Sequence, residues 1–470
     1  MVMGQLNQET ELAIIGGGPG GYVAALRAAD LGLEVTLIEE REELGGVCLT
    51  EGCIPSKTLI NAVELITSAR EAGAMGLSFG SIEVDREKLL AWSQKVVTTL
   101  TGGVNSLVKK RGIEVIHGRA RFADNRTLAI EGAGTVEFSR AIIATGSRIN
   151  ELPPAYEKPV WSSAEALLLP EIPGSLLVVG GGYIGLEMGL VYAGLGSAVT
   201  MVDFNPRLLS GADFDLVEVM VKRVTDRFEA ILTDSKVTGV EYGDGEFRVE
   251  IEREGETRTQ TFDRVLVAIG RRPNTDDLGL ENTAIEVDAG GRIPVSEELR
   301  TAEENIWAIG DVAPGPMLAH KASREGKVAA EVIAGHASAF DNRAIPAVVF
   351  TDPEIAWSGL TEREAEERGI EVAIGRFPLR ALGRARTMGR TEGLVKIVAE
   401  PGSGLVLGVG MVGPHASELI AEGTLAIEMG ATLEDLMVTI HPHPTLSEAV
   451  MEAAEVTAGQ PIHIPPATKT

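Results

Sequence analysis

One organisation occurs twice in this chain. ELAIIGGGPGGYVAALRAADLGLEVTLIEE spans 11–40, and SLLVVGGGYIGLEMGLVYAGLGSAVTMVDF spans 175–204. Each copy begins with an apolar run that predicts a buried strand. A GxGxxG turn follows, made by Gly16, Gly18 and Gly21 in the first copy and by Gly180, Gly182 and Gly185 in the second. Each then has an Ala- or Leu-rich helical stretch and a second strand ending in an acid, Glu39 or Asp203, 23 positions after the first glycine. The first glycine permits the tight turn, the second lets a pyrophosphate approach the backbone, and the third lets helix and strand pack closely. The helix N-terminus attracts phosphate charge. The distal carboxylate accepts hydrogen bonds from ribose hydroxyls and repels a 2′-phosphate. One GxGxxG is weak evidence; two in register with strand, helix, strand and acid predict two Rossmann-like dinucleotide folds.

Each copy has a closing strand, RAIIATGS (140–147) for the first and RVLVAIGR (264–271) for the second. Gly16 precedes Gly146 by 130 residues, whereas Gly180 precedes Gly270 by 90. The 40-residue excess of the first copy contains GGVCLTEGCIPSK (45–57), which holds Cys48 and Cys53, the whole cysteine complement of the chain. Two cysteines cannot make a structural disulfide framework. A metal site wants about four ligands, and no further His, Asp or Cys clusters with the pair. Redox chemistry is the favoured reading, carried on a segment inserted into a nucleotide-binding domain.

Composition narrows the partners. The formal charge is −26, from 42 Lys and Arg against 68 Asp and Glu. Such a field repels nucleic acid and anionic membranes. It also serves solubility or attracts a basic protein partner. Apolar runs such as LLVVGGGYIGL are glycine-broken and too short to span a bilayer. MVMGQLNQETE lacks the pattern of a signal or transit peptide, so the cytoplasm is the expected compartment. Further on, TAEENIWAIGDVA (301–313) reads as a strand ending at Gly310-Asp311, whose carboxylate could hold a flavin ribityl chain or belong to an ordinary turn. From about 348, strand and helix patterns alternate without GxGxxG, which predicts a third kind of domain.

GGGPGG, GGVCLTEGCIPSK, ATGS, GGGYIGLEMG, VAIGRRPN, AIGDV, MLAHKA and IHPHPTLSEA together resemble the flavin-dependent pyridine nucleotide-disulfide oxidoreductases, most closely their dihydrolipoamide-oxidising branch, from about residue 11 to 460. The resemblance implies an α/β fold with FAD- and NAD-binding Rossmann-like domains and a C-terminal α+β dimerisation domain. The expected spans are 1–150 for the FAD domain with its cysteine insertion, 151–275 for the NAD domain, 276–347 for a return to the FAD domain, and 348–470 for the interface domain.

It also implies roles. Cys48 matches the sulfur that exchanges with substrate, and Cys53 the sulfur that lies against the flavin. The flanks agree: Pro55 is suited to a first helical turn, and a thiolate at a helix N-terminus is stabilised. Lys57 matches a lysine beside the reactive flavin nitrogen, and Glu187 its carboxylate partner. His443 matches the catalytic base and Glu448 the acid that orients it, although TLSE (445–448) also reads as a capping box with Thr445 as cap. His441 is read as structural. The cofactor-binding set is Gly16, Gly18, Gly21, Glu39, Lys57, Thr145, Gly146, Asp311 and His320 for FAD, with His320 read as a packing or backbone contact. For NAD it is Gly180, Gly182, Gly185, Asp203 and Gly270. No metal is expected. His443 and Glu448 are expected to serve the cysteines of the opposite subunit of a homodimer.

The chain departs from the family pattern at Thr50-Glu51, which replaces Asn-Val between the cysteines, and at Pro442 between the histidines. Asp203 stands for the more usual Glu, and Arg207 is close to it in sequence. An acid there disfavours a glutathione reductase, and the tail GQPIHIPPATKT has no cysteine pair for mercuric ion. The expected partner is a lipoyl domain on the core acyltransferase of a 2-oxoacid dehydrogenase complex, or a glycine-cleavage carrier protein. A silent structural subunit is disfavoured because Cys48, Cys53, Lys57 and His443 are all present.

Overall fold

The computed structural model describes residues 6–150 and 159–466. The expected boundary after residue 150 abuts the undescribed stretch 151–158. Residues 1–5 and 467–470 of the expected terminal spans also lie outside the described residues.

The first Gly-rich unit is a seven-stranded sheet. Its parallel part runs Glu114–His117, Val35–Glu39, Leu6–Ile15 and Gly134–Ile143, with Ile306–Ala308 also pairing parallel to the last. Thr127–Ile130 and Ala120–Asp124 extend the other edge antiparallel. Val35–Glu39 is buried at every position, as a parallel strand covered on both faces must be. The strand Leu6–Ile15 is longer than the apolar run Leu12–Ile15 suggested, because Leu6–Thr10 pairs with Gly134–Phe138. Helix Pro19–Asp30 follows the turn, with proline at its start. Helix Ala319–Ile333 lies against it so closely that a Cβ on Gly326 would stand 2.5 Å from the Gly20 carbonyl oxygen. Residues after 276 therefore rejoin the first unit through both a strand and a helix.

The second unit has a four-stranded parallel sheet, in the order Ala230–Leu232, Ala198–Val202, Ser175–Val179 and Arg264–Val267. A three-stranded antiparallel sheet, built from Ser235–Gly243, Glu246–Arg253 and Glu256–Phe262, packs beside it. The closing loops of the two units pair with each other: Ser147–Ile149 runs antiparallel to Arg271–Pro273.

The two turns have matching geometry. Gly16 and Gly180 have φ of +104° and +111°, and a Cβ on either would stand 2.3 or 2.4 Å from the carbonyl of Ala144 or Ala268. A Cβ on Gly21 or Gly185 would stand 1.7 or 1.9 Å from the carbonyl oxygen of the first glycine of its own turn. No side chain fits either place.

The C-terminal part is a five-stranded antiparallel sheet, Ala347–Val349, Glu354–Gly359, Val406–Gly413, Leu394–Ala399 and Ala373–Pro378, backed by helices Ala416–Met429 and Glu448–Thr457. It is tied to the second unit by buried charge. The fully buried Lys396 ammonium meets Asp213, Asp215 and Glu362 at 2.6, 2.8 and 3.1 Å. Among the described residues no helix is long and apolar enough to cross a membrane.

Candidate active site

The five-residue spacing of the cysteines places them on two consecutive helices. Cys48 is in the short helix Gly46–Thr50, and Cys53 is the first residue of helix Cys53–Glu71, with Pro55 in its first turn. Both are free thiols in this structure, Cys53 exposed and Cys48 half-buried. The interaction of the two thiols, as donor and acceptor of a shared hydrogen, splits their acidities. Accepting it is the largest influence lowering the Cys53 thiol to about 7, with Lys57 helping and burial and Glu187 opposing. Donating it, burial, and the charge on Cys53 push Cys48 well above the ordinary thiol range. Cys53 is the sulfur that ionises first.

The long helix positions more than a thiol. Leu59, Ile60 and Val63 bury against the second unit, beside Tyr192 and Leu186. A Cβ on Gly194 would stand 2.2 Å from Val63, so the helices touch closely. That contact brings Lys57 to Glu187, Nζ to Oε2 at 2.7 Å, with the Glu187 side chain 4% exposed. Its second oxygen accepts the Phe350 amide at 3.0 Å, and Lys57 Nζ stands 4.6 Å from the centre of the Phe350 ring. Phe350 sits in VVFTDP, where the sequence carries no signal beyond a strand end. A buried charge needs such partners, and here three parts of the chain supply them.

Cys48, Cys53, Lys57 and Glu187 line one cavity of about 780 Å³, within the range of cofactor pockets. Gly16, Gly18 and Glu39 line it near the first turn, and Thr145, Gly146 and Asp311 near the closing strand. A Cβ on Gly18 has nothing nearer than 3.8 Å, which leaves the backbone at the helix N-terminus approachable. Gly21 is buried behind the turn, where it serves packing. These residues fit a dinucleotide with a pyrophosphate at the turn and a ring system by the thiols. Asp311 accepts a hydrogen bond from Ser147 Oγ at 2.5 Å, and Arg271 Nε donates to the same oxygen at 2.8 Å. Thr145 and Asn274 exchange bonds at 2.7 and 2.9 Å.

His320 makes a backbone contact, as its reading anticipates. Its ring bonds the Pro346 carbonyl at 2.7 Å, and it does not line the cavity. The backbone contact is there, but it is to the protein; Met317, Ala319 and Ala322 form that part of the wall.

Glu39 and Asp203 do the same thing in their own units. Glu39 accepts the amides of Gly17 and Arg41 at 2.6 and 3.0 Å; Asp203 accepts those of Gly181 and Asn205 at 2.5 and 2.7 Å. The shorter Asp203 side chain thus reaches its turn as fully as Glu39 does. A Cβ on Gly182 would meet nothing within 4 Å, so the second turn is also approachable. Gly270, with φ +101°, lies on a separate cleft of about 700 Å³. Gly180, Gly185 and Asp203 do not line that cleft. Arg207 lies over the Phe214 ring at 4.4 Å.

His443 and Glu448 form a pair elsewhere. His443 Nδ1 meets Glu448 Oε1 at 2.8 Å, while Oε2 accepts the Thr445 amide at 2.7 Å. One Glu448 oxygen thus meets the His443 ring, and the other the Thr445 amide. Thr445 is not the helix cap, however. The helix starts at Glu448 after Ser447, and the Thr445 hydroxyl bonds the Pro442 carbonyl and Ser447 instead. Burial pushes the Glu448 carboxyl up, but the Thr445 amide and His443 hold it below the usual range. The His443 side chain is 78% exposed, and neither residue lines the thiol cavity of its own chain. His441 Nε2 is tied to Glu422 at 2.6 Å. Between the cysteines, Glu51 pairs with Arg41 at 3.1 Å, and Arg41 also donates to Thr50 at 3.3 Å.

Two nucleotide turns, a thiol pair between them and a buried lysine–glutamate pair beside the thiols define a dinucleotide-dependent disulfide oxidoreductase. The chain belongs to the pyridine nucleotide-disulphide oxidoreductase family, whose model matches residues 10–326, with the dimerisation domain of that family matching 345–454. It is 47% identical over 468 residues to a dihydrolipoyl dehydrogenase of Geobacillus stearothermophilus, covering 99% of each chain. It is likewise 47% identical over 473 residues to a dihydrolipoyl dehydrogenase of Haloferax volcanii, covering 98% of this chain and 99% of that one. Among solved structures it is similar to LpdA of Mycobacterium tuberculosis, with a TM-score of 0.88, 29% identity, and coverage of 95% and 99%.

Proposed function

We propose that the protein is a dihydrolipoyl dehydrogenase: it oxidises protein-bound dihydrolipoamide and reduces NAD+ to NADH, using FAD. The observation that carries this reading is the thiol pair, split in acidity, lining one cavity with the first nucleotide turn and the Lys57–Glu187 pair. The full-length similarity to dihydrolipoyl dehydrogenases supports the substrate.

In the oxidised enzyme Cys48 and Cys53 form a disulfide. A substrate thiolate attacks Cys48 Sγ; the S–S bond breaks, and Cys53 leaves as a thiolate at the N-terminus of its helix, near Lys57. The second substrate thiol then attacks the substrate sulfur bonded to Cys48, closing the lipoamide disulfide and leaving both cysteines reduced. Two electrons have moved from substrate to the thiol pair. His443, held by Glu448, takes the proton of the attacking thiol. FAD, when bound, supplies the two-electron passage from the thiols to NAD+. Glycines 16, 18 and 21, with Glu39, Thr145, Gly146 and Asp311, would hold FAD. Glycines 180, 182 and 185, with Asp203 and Gly270, would hold NAD.

The proposal includes a homodimer in which His443 and Glu448 of each chain serve the thiols of the other. The family's dimerisation domain, the exposed His443 and its position off the cavity support it. It further includes a lipoyl domain of a 2-oxoacid dehydrogenase complex or a glycine-cleavage carrier as partner. A cytoplasmic setting, where thiols are kept free to cycle, completes it. The test is steady-state oxidation of dihydrolipoamide with NAD+ and NADP+ in parallel. Turnover with NAD+ and little with NADP+ is expected. A yellow, FAD-loaded protein that oxidises NADH with artificial acceptors but not dihydrolipoamide would overturn the assigned substrate.

A further inference from the structure

In MLAHKA, the residue after His320 makes the tighter connection to the cavity wall. Lys321 and Glu325, one turn apart on helix Ala319–Ile333, form an ion pair at 2.8 Å with side chains 1% and 2% exposed. Each also holds a backbone group of Gly310. Lys321 Nζ donates to the Gly310 carbonyl at 3.0 Å, and Glu325 Oε2 accepts the Gly310 amide at 2.7 Å. One residue is thus gripped at both of its polar groups. Gly310 has φ +75°, and it directly precedes Asp311, which lines the cavity.

Taking two charges out of water costs several kcal/mol each, and a buried ion pair is weak evidence for net stability. An amide and a carbonyl could be satisfied more cheaply by neutral groups. The geometry suggests another purpose for the expense. Ser147 Oγ bonds the Asp311 carboxylate, and Arg271 of the second unit bonds Ser147. The residue before Asp311 is thus held by one helix, while the Asp311 carboxylate is held by Ser147 and, through it, by Arg271. Lys321 and Glu325 do not line the cavity themselves.

We infer that Lys321 and Glu325 are positioning residues that preset Asp311 toward the polyol chain of a bound flavin dinucleotide. The inference rests on the proposed assignment of the first cavity to FAD. Presetting a group before the ligand arrives raises affinity by removing an ordering cost, without a new contact.

The test is a double-mutant cycle on the full-length chain, stripped of flavin and titrated with FAD by fluorescence. Lys321→Met is expected to weaken FAD binding about tenfold when Asp311 is present, and by less than about twofold in an Asp311→Ala background, because positioning has no value once the carboxylate is gone. An equal factor in both backgrounds would mean a general structural role and would overturn the inference. So would an FAD affinity within twofold of the parent in Lys321→Met. Unchanged affinity in Asp311→Ala alone would instead refute the FAD assignment of that carboxylate, and the inference with it. If Lys321→Met does not fold, Lys321→Met/Glu325→Gln removes both charges together and is put through the same cycle, with the same outcomes deciding.

Discussion

The two Gly-rich units share a turn almost atom for atom, yet differ in what surrounds it. In both, the first glycine takes a positive φ, the third lies on the carbonyl of the first, and a buried acid accepts an amide from the turn. The first unit then adds two things. An insertion brings Cys48, Cys53 and Lys57 to its cavity, and a returning segment brings Asp311. The second unit has neither, and its turn faces open space at Gly182. The lesson is that the turn specifies the kind of ligand, while the additions determine whether the ligand stays and what is done with it. The proposed assignment of FAD to the first unit and NAD to the second rests on that asymmetry.

The largest effect should come from removing what only the first unit has. Cys48→Ser or Cys53→Ser should lower dihydrolipoamide oxidation by at least about a thousandfold, as loss of a nucleophilic partner does. FAD content, read from absorbance, should be retained. Loss of FAD in either variant would mean that the cysteines build the cavity and do not simply use it.

Next in size are matched substitutions in the two turns. Gly21→Ala and Gly185→Ala each place a methyl 1.7 or 1.9 Å from a carbonyl oxygen. Overpacking of that kind costs about 3 kcal/mol. The first should yield protein lacking FAD. The second should keep FAD and lose NAD+ turnover. If both lose FAD, the units are not separable and the comparison fails. A milder probe is Asp203→Ala, expected to raise KM for NAD+ about tenfold with a smaller change in kcat. Equal loss in both constants would remove Asp203 from ground-state NAD+ binding.

The acidity split between the thiols sharpens the same contrast. In reduced protein, Cys53 is held down to about 7 and Cys48 is pushed up. A lowered thiol pKa means that the thiolate forms as pH rises through about 7. Alkylation of Cys53 by iodoacetamide should therefore climb about tenfold per pH unit below 7 and level off above it. In Cys48→Ser the hydroxyl is a different donor, and the midpoint should move. A midpoint that stays near 7 there would assign the shift to Lys57 and the helix terminus.

Much of this was legible in sequence because its physics is local. The turn, the helix start and the strand-end acid lie within about 24 residues, and each has a steric or electrostatic signature. The thiol pair was legible from isolation and flanks. What was not legible depends on segments meeting across the fold. Phe350 reaches Glu187 from the C-terminal sheet, and Arg271 reaches Ser147 across two closing loops. The inward turn of Lys321 was not legible, because no sequence period marks a residue that grips a glycine backbone. Its neighbour His320 turns to the Pro346 carbonyl instead, because helix geometry sends adjacent side chains about 100° apart. Thr445 fitted the spacing of a cap, yet the helix begins at Glu448.

The smallest effect belongs to Thr50-Glu51, the departure inside the redox loop. A carboxylate near a thiol should raise its pKa if it is unscreened. Here Glu51 is paired with Arg41 at 3.1 Å, with both side chains substantially exposed at 45% and 35%. The leading influences on the two thiols are each other, burial and Lys57. An exposed pair of this kind contributes at most about 1 kcal/mol. Glu51→Val should therefore leave stability within about 1 kcal/mol and kcat for dihydrolipoamide within about twofold. Arg41→Ala is the sharper experiment, because it leaves Glu51 unpaired between the thiols. If the screening argument holds, Arg41→Ala raises the Cys53 alkylation midpoint and Arg41→Ala/Glu51→Val returns it to about 7. If Glu51→Val alone moves the midpoint, the carboxylate is felt at the sulfur despite its partner, and this loop tunes the chemistry of the first unit.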